Sequence, residues 1–130
     1  MRLRNICISF LVCFTPFVFA QSGPGGVGDN TTNKLWLKAD ANVYSDAGTT
    51  LAVDGSLVQQ WNDKSGNTNN ASQATSGNRP TYKTSIINSK PVLRFSGNTF
   101  IDPGALGIAG TGSFTYFVVV GLSSYTAGAL

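Results

Sequence analysis

Residues 61–70, WNDKSGNTNN, combine the types and spacing most suited to chemistry in this chain. Asp63 supplies a carboxylate, and the neighbouring oxygen atoms come from three asparagines, Asn62, Asn67 and Asn69. Carboxylate and carbonyl oxygens are the ligands that calcium prefers, although one carboxylate is few for tight binding and the spacing fits no EF-hand. In the alternative interpretation, Asp63 and Asn67 bond nearby backbone amides and form a polar turn. Both interpretations stay open at this level, and calcium is the one cofactor that the sequence suggests.

Aromatic side chains offer a second kind of site. A sugar-binding surface needs a flat aromatic ring and polar groups that fix the hydroxyls. Trp36 is out of phase with Leu35 and Leu37, and Tyr125 lies in a segment rich in Ser, Thr and Gly. We therefore predict that Trp36 and Tyr125 are the exposed, ligand-binding aromatics.

The sequence has few residues that could act as an acid or base catalyst. The chain has no histidine and no glutamate, so aspartate is its only carboxylate. Retaining glycosidases need two carboxyl groups about 5 Å apart, which in a β-strand means alternating positions. The six aspartates instead stand singly in turns or at strand ends: Asp29, Asp40, Asp46, Asp54, Asp63 and Asp102. We predict no catalytic residue, with a glucanase fragment as the competing interpretation.

Residues 1–20 have the pattern of a secretory signal peptide. Arg2 and Arg4 precede an uncharged apolar run, and Val-Phe-Ala stands before Gln21. The run is shorter than the roughly 20 apolar residues of a spanning helix, so we expect cleavage after Ala20 and no stable membrane span afterwards. Cleavage removes both cysteines and two of the nine basic residues, leaving seven basic residues against six Asp.

The mature chain therefore cannot form a disulfide framework. Its net charge of about +1 does not provide the basic patch that nucleic-acid binding requires.

The remaining chain predicts one all-β domain. Residues 21–33 are rich in Gly, Asn and Thr and form a flexible leader. Short apolar runs at 35–39, 50–53, 57–62, 91–95 and 113–121 alternate with Asp-Gly, Ser-Gly and Pro-Gly turns. This alternation is typical of a sandwich or barrel.

The aromatic residues of these runs are the predicted core. We expect Trp61, Phe95, Phe114 and Phe117 to pack inside the domain. The run at 113–121 is apolar on both faces, so it requires cover on each side.

Four ordered segments resemble the laminin-G-like version of the concanavalin A-like lectin/glucanase fold of bacterial secreted and surface proteins: LWLKADANV, VQQWNDKSGNTNNASQ, NRPTYKTSIINSKPVLRFSGN and FTYFVVV. The resemblance implies an antiparallel jelly-roll sandwich over residues 34–130. Its usual role is carbohydrate binding or cell adhesion. Members of the family continue with further strands beyond the point that matches Leu130, so we expect this sandwich to be incomplete at its C-terminus.

The resulting hypothesis is a non-catalytic module of an exported protein, secreted or held at the cell surface. Its expected partners are a polysaccharide or a glycoprotein and not nucleic acid, and we expect no stable membrane span after signal cleavage. A fragment of a glucanase-type glycoside hydrolase and a structural spacer that binds nothing are the alternatives.

Overall fold

The computed structural model describes residues 23–110 and 112–122. Within these ranges the chain contains five β-strands and two single 3-10 turns, Pro24–Gly26 and Ser76–Asn78, joined by turns and irregular segments. No helix in the described ranges is long and apolar enough to cross a membrane. The regular secondary structure of the described part is thus mostly strand with little helix, as the all-β prediction requires.

Three short strands form the first sheet: β1 (Val43–Tyr44), β2 (Gln60–Trp61) and β3 (Ala71–Ser72). They lie antiparallel in the order β1-β2-β3. Val43 pairs with Trp61 and Trp61 with Ala71, so these three side chains share one face. Val43 and Ala71 are buried, which identifies this face as the one that packs on the core.

Trp61 is anchored on this core face by its indole. The Nε1–H group donates to the backbone carbonyl of Lys38 at 2.8 Å, which satisfies the only polar atom of the side chain. Val58, three residues before Trp61, is fully buried, and so is Pro80. Val58 N–H donates to the Pro80 carbonyl at 2.8 Å, so the segment before β2 is joined to the segment before β4.

The second sheet is a hairpin of β4 (Thr81–Ile87) and β5 (Lys90–Arg94). Its two-residue loop, Asn88-Ser89, has φ angles of 48° and 60°. Two positive φ angles define the type I′ turn, whose twist matches that of the paired strands. The register shifts between Lys83 and Ile87, and this bulge is held by Asp54, which accepts from the Thr84 N–H at 2.9 Å.

The structure confirms the strand-rich class and corrects several details of the prediction. The run at 57–62 contains β2 and the run at 91–95 overlaps β5, but residues 35–39 form no strand. Residues 113–121 also form no described strand pair. Two small antiparallel sheets are present, and their membership of a jelly roll stays a prediction.

The predicted aromatic core is wrong for three of its four members. Trp61 is half-buried, whereas Phe95 is 50 % exposed, Phe114 65 % and Phe117 94 %. Phe95 lies just past the end of β5, where strand pairing has stopped. Phe114 and Phe117 lie in a segment to which no described strand is paired. These rings are apolar, but no neighbouring layer in the described structure covers them, so they stay exposed.

Gly48 tests how closely the turn after β1 packs on β2. Its φ is 101°, and a Cβ there would lie 2.7 Å from Gln60 Nε2. We expect Gly48→Ala to lower the free energy of unfolding by about 2 kcal/mol, since the residue has a positive φ and displacing Gln60 disturbs its bond to Asn62. Gly55→Ala is the control, because its φ is 86° and its Cβ would meet nothing within 4 Å. Urea denaturation should show the smaller loss for Gly55→Ala, and equal losses would contradict close packing at Gly48.

Candidate functional site

The loop at 62–70 folds around the carboxylate of Asp63. Oδ1 accepts from the backbone N–H groups of Trp36 and Ser65, both at 2.8 Å. Oδ2 accepts from the Ser65 hydroxyl at 2.6 Å and from the Asn69 N–H at 3.1 Å. Each oxygen therefore receives two hydrogen bonds, which is the full complement of an ionised carboxylate.

Two asparagines of the same loop extend the contact to the segment at 33–36. Asn67 Nδ2 donates to the Asn33 carbonyl, and Asn69 Nδ2 donates to the Lys34 carbonyl, each at 2.8 Å. The Lys64 N–H donates to the Trp36 carbonyl at 2.8 Å. We call this arrangement of residues 33–36 and 62–70 the Asp63 clamp. It joins parts of the chain that are 27 to 35 residues apart.

The hydroxyl of Ser65 lies at the centre of the clamp. Ser65 is fully buried, and its Oγ accepts from Asn67 N–H at 3.3 Å and from Asn67 Nδ2 at 3.1 Å while donating to Asp63. Partial burial by itself would raise the pKa of Asp63, but the hydrogen bonds from Ser65, Trp36 and Asn69 outweigh it and lower the pKa. The clamp therefore stabilises the ionised carboxylate.

This geometry bears directly on the calcium interpretation. Asp63 is surrounded by N–H and O–H donors, and Asn62 Oδ1 accepts from Gln60 Nε2 at 2.6 Å. Asn67 and Asn69 turn their amide nitrogens to backbone carbonyls. A cation at Asp63 would have to displace four donors to reach the carboxylate. The observed contacts support the hydrogen-bonded turn, which the sequence analysis offered as the alternative to a calcium loop.

Other aspartates have the same structural use. Asp46 Oδ1 accepts from the N–H groups of residues 48–50, and Asp29 Oδ1 accepts from Thr31 and Thr32. Side-chain and backbone hydrogen bonds, those of Thr50 first for Asp46 and those of Thr31 first for Asp29, lower the pKa of each to about 2. Such groups act as acceptors that close turns.

Two aspartates are paired with lysines. Asp54 bonds Lys83 at 2.8 Å, and Asp40 lies 3.1 Å from Lys38 and 3.5 Å from Lys90. The hydrogen bond from the lysine is the largest cause of the lowered pKa in both carboxyl groups. A general acid in glycoside hydrolysis needs a raised pKa, so these contacts are the opposite of what an acid catalyst requires.

The two predicted ligand-binding aromatics have different outcomes. Trp36 is half-buried, so the prediction that it is exposed is wrong, and its backbone N–H and carbonyl are both bonded within the clamp. Tyr125 lies outside the described residues. The clamp therefore fixes the position of Trp36, and its part in ligand binding stays a prediction.

The outer face of the first sheet is a surface that the sequence analysis missed. Tyr44 pairs with Gln60 and Gln60 with Ser72, so these side chains share the face opposite Val43, Trp61 and Ala71. Ser72 pairs in turn with Asp102, which extends the polar row. Strands of two residues are too short to show alternation in the sequence. In the sequence, each of these two-residue strands shows only one more polar residue next to one apolar residue.

A cleft of about 360 Å³ opens at the Asp102 end of this row. Its walls are β3 and the segment at 100–104, and its lining includes Asn70, Ser72, Gln73, Phe100, Asp102 and Gly104. Phe100 is 50 % exposed. An exposed ring beside an amide, a hydroxyl and a carboxylate is the combination that sugar binding requires.

A second depression of about 340 Å³ lies near Asp40, Val43, Leu51 and Tyr82. Burial, followed by the charge of Asp40, raises the pKa of Tyr82. Asp40 is already paired with Lys38 and Lys90. Its carboxylate is therefore less available to a ligand than the exposed polar groups of the first cleft.

Comparisons with family models, with curated proteins and with solved structures found no match to this chain. The resemblance to the laminin-G-like fold therefore rests on the four sequence segments that carry it. Among residues 23–110 and 112–122, no three Asp, Glu, His or Cys side chains are grouped so that they could hold a metal ion.

The first prediction from the clamp concerns stability and its pH dependence. We expect Asp63→Asn to lower the free energy of unfolding by about 1–3 kcal/mol near neutral pH, because an amide nitrogen cannot accept from Ser65 and Asn69. Since the folded-state pKa of Asp63 is lowered, its contribution is present above the ordinary Asp pKa of about 3.9. It is lost as the pH falls through the folded-state value. The difference between wild type and variant in urea denaturation should therefore shrink in acid.

Asp102→Asn is the matched control for this measurement. Asp102 uses Oδ1 to accept from Gly104 N–H at 2.7 Å, and asparagine keeps that acceptor. We expect it to change the free energy of unfolding by less than about 0.5 kcal/mol. A loss as large as that of Asp63→Asn would show that the clamp has no special importance.

The second prediction concerns calcium. Because protein donors occupy Asp63, we expect the wild-type chain to have the same melting temperature in millimolar calcium and in chelator. A bound ion would raise the melting temperature by mass action. A rise with calcium that is absent from Asp63→Asn would overturn the hydrogen-bonded interpretation and establish the ion site.

Proposed function

We propose that this chain is a non-catalytic module of an exported protein and binds carbohydrate or glycoprotein at or outside the cell surface. The observation that carries the proposal is the outer face of the first sheet, where Gln60, Ser72 and Asp102 form a polar row that ends beside the exposed Phe100. Polar groups and an aromatic ring on a strand scaffold suit the recognition of sugar hydroxyls and of the apolar side of a sugar ring.

The state of the carboxylates supports binding without hydrolysis. Five of the six aspartates have a lowered pKa and are held by hydrogen bonds or lysine pairs. The sixth, Asp102, pairs across the sheet with a serine. A retaining mechanism needs two facing carboxyl groups and a raised pKa on one of them.

The export pattern of residues 1–20 and the resemblance to the laminin-G-like fold support the same proposal from the sequence side. In this interpretation the two small antiparallel sheets are parts of a jelly-roll sandwich. The polar outer face of the first sheet would then be a ligand-binding face of that sandwich.

Binding and hydrolysis are separated by two measurements on the full chain. We expect soluble β-glucan, xylan or galactomannan to retard the wild-type chain in native gels, and we expect no reducing sugar to be released from any of them. Circular dichroism confirms that the protein used is folded. Failure to bind any of these polysaccharides and a panel of glycoproteins would favour a structural spacer. Release of sugar that Asp63→Asn abolishes would favour a glucanase fragment.

A further inference from the structure

We propose that the cleft between β3 and residues 100–104 is the saccharide subsite of this chain, and that it takes a neutral sugar ring stacked on Phe100. This inference rests on the proposed function and specifies where the ligand binds and of which class it is. It concerns residues that are distinct from Trp36 and Tyr125.

The backbone places two polar side chains side by side in the cleft. Ser72 N–H donates to the Asp102 carbonyl at 2.8 Å, and Asp102 N–H donates to the Ser72 carbonyl at 3.1 Å. Antiparallel residues that exchange both hydrogen bonds have their side chains on the same face. Ala71 and Gln73, on either side of Ser72, are buried, whereas Ser72 and Asp102 are exposed. The Ser72 hydroxyl and the Asp102 carboxylate are therefore directed outward together.

The side chains of Asn70, Ser72 and Asp102 have donors or acceptors that remain open to a ligand. Asp102 uses Oδ1 for Gly104, and Asn70 uses Oδ1 to accept from Asp63 N–H at 3.0 Å. No described residue bonds Asp102 Oδ2, Asn70 Nδ2 or the Ser72 hydroxyl. The cleft thus offers one acceptor, one donor and one group that does both, which matches sugar hydroxyls that donate and accept. The bonded halves of Asp102 and Asn70 hold them in place.

Phe100 supplies the apolar part of the site. Its ring is 50 % exposed and lines the cleft, while its backbone N–H donates to the Asn78 carbonyl at 2.9 Å. The ring can cover the C–H face of a sugar while the polar groups reach its hydroxyls. The Asp102 carboxylate would repel an acidic sugar such as a uronate, so a neutral saccharide fits better.

Affinity electrophoresis of the full chain tests the inference with β-glucan, xylan and galactomannan as neutral probes and polygalacturonate as an acidic one. We expect at least one neutral probe to retard the wild type and polygalacturonate not to. Phe100→Ala should weaken binding about tenfold, and Ser72→Ala and Asp102→Asn should each weaken it about threefold to tenfold. The last two variants keep the backbone pairing of Ser72 and Asp102, so they remain informative where Phe100→Ala impairs folding.

Phe95→Ala is the matched control, because Phe95 is also 50 % exposed but does not line the cleft. Its affinity should equal that of the wild type. If the folded variants Ser72→Ala, Asp102→Asn and Phe100→Ala bind as well as the wild type, the cleft is not the saccharide subsite. The proposed function would still stand. Failure of the wild type to bind any neutral probe would overturn this inference, and glycoprotein binding would then decide whether the proposed function also fails. Binding to polygalacturonate alone would overturn the neutral class.

Discussion

The carboxylate of Asp63 collects donors from two distant parts of the chain, and the placement of residues 33–36 depends on it. Its four hydrogen bonds come from Trp36, Ser65 and Asn69. An ionised group that is partly buried must be bonded on every side to offset its loss of water. That requirement fixes the shape of the loop at 62–70 and the path of the segment that crosses it. Asn70 carries the same constraint into the cleft beside β3.

Polar turns carry much of the order in this chain because the described core is small. Within the described ranges its buried apolar side chains are those of Val43, Val58, Ala71 and Pro80. Aspartates close turns at Asp29 and Asp46. Hydrogen bonds of charged groups contribute more to stability than neutral ones, and a sheet of two-residue strands gains from turns that are fixed in this way. Because the small core covers only one face of the first sheet, the other face carries polar side chains.

The parts of the structure that could be predicted from the sequence are those with local causes. Asx-turn chemistry is local, so the role of Asp63 as a hydrogen-bonded turn residue was among the interpretations of WNDKSGNTNN. Its partner Trp36 is 27 residues away, and no local sequence pattern predicts a contact between residues so far apart in the chain. The strand-rich class followed from turn spacing, whereas β1 and β3 are too short for alternation to show. Phe95, Phe114 and Phe117 were assigned to the core by composition, but burial depends on a neighbouring layer that composition does not place.

The long reach of the clamp also has a consequence for the order of folding. Closing a loop of about 30 residues costs entropy before any contact compensates it, so we expect the hydrogen bonds to residues 33–36 to form after the local turn around Asp63. Residues 33–36 should therefore be acquired late and released early, as one cooperative unit with the loop at 62–70. Through one carboxylate, the stability of residues 33–36 is thus coupled to that of the loop at 62–70.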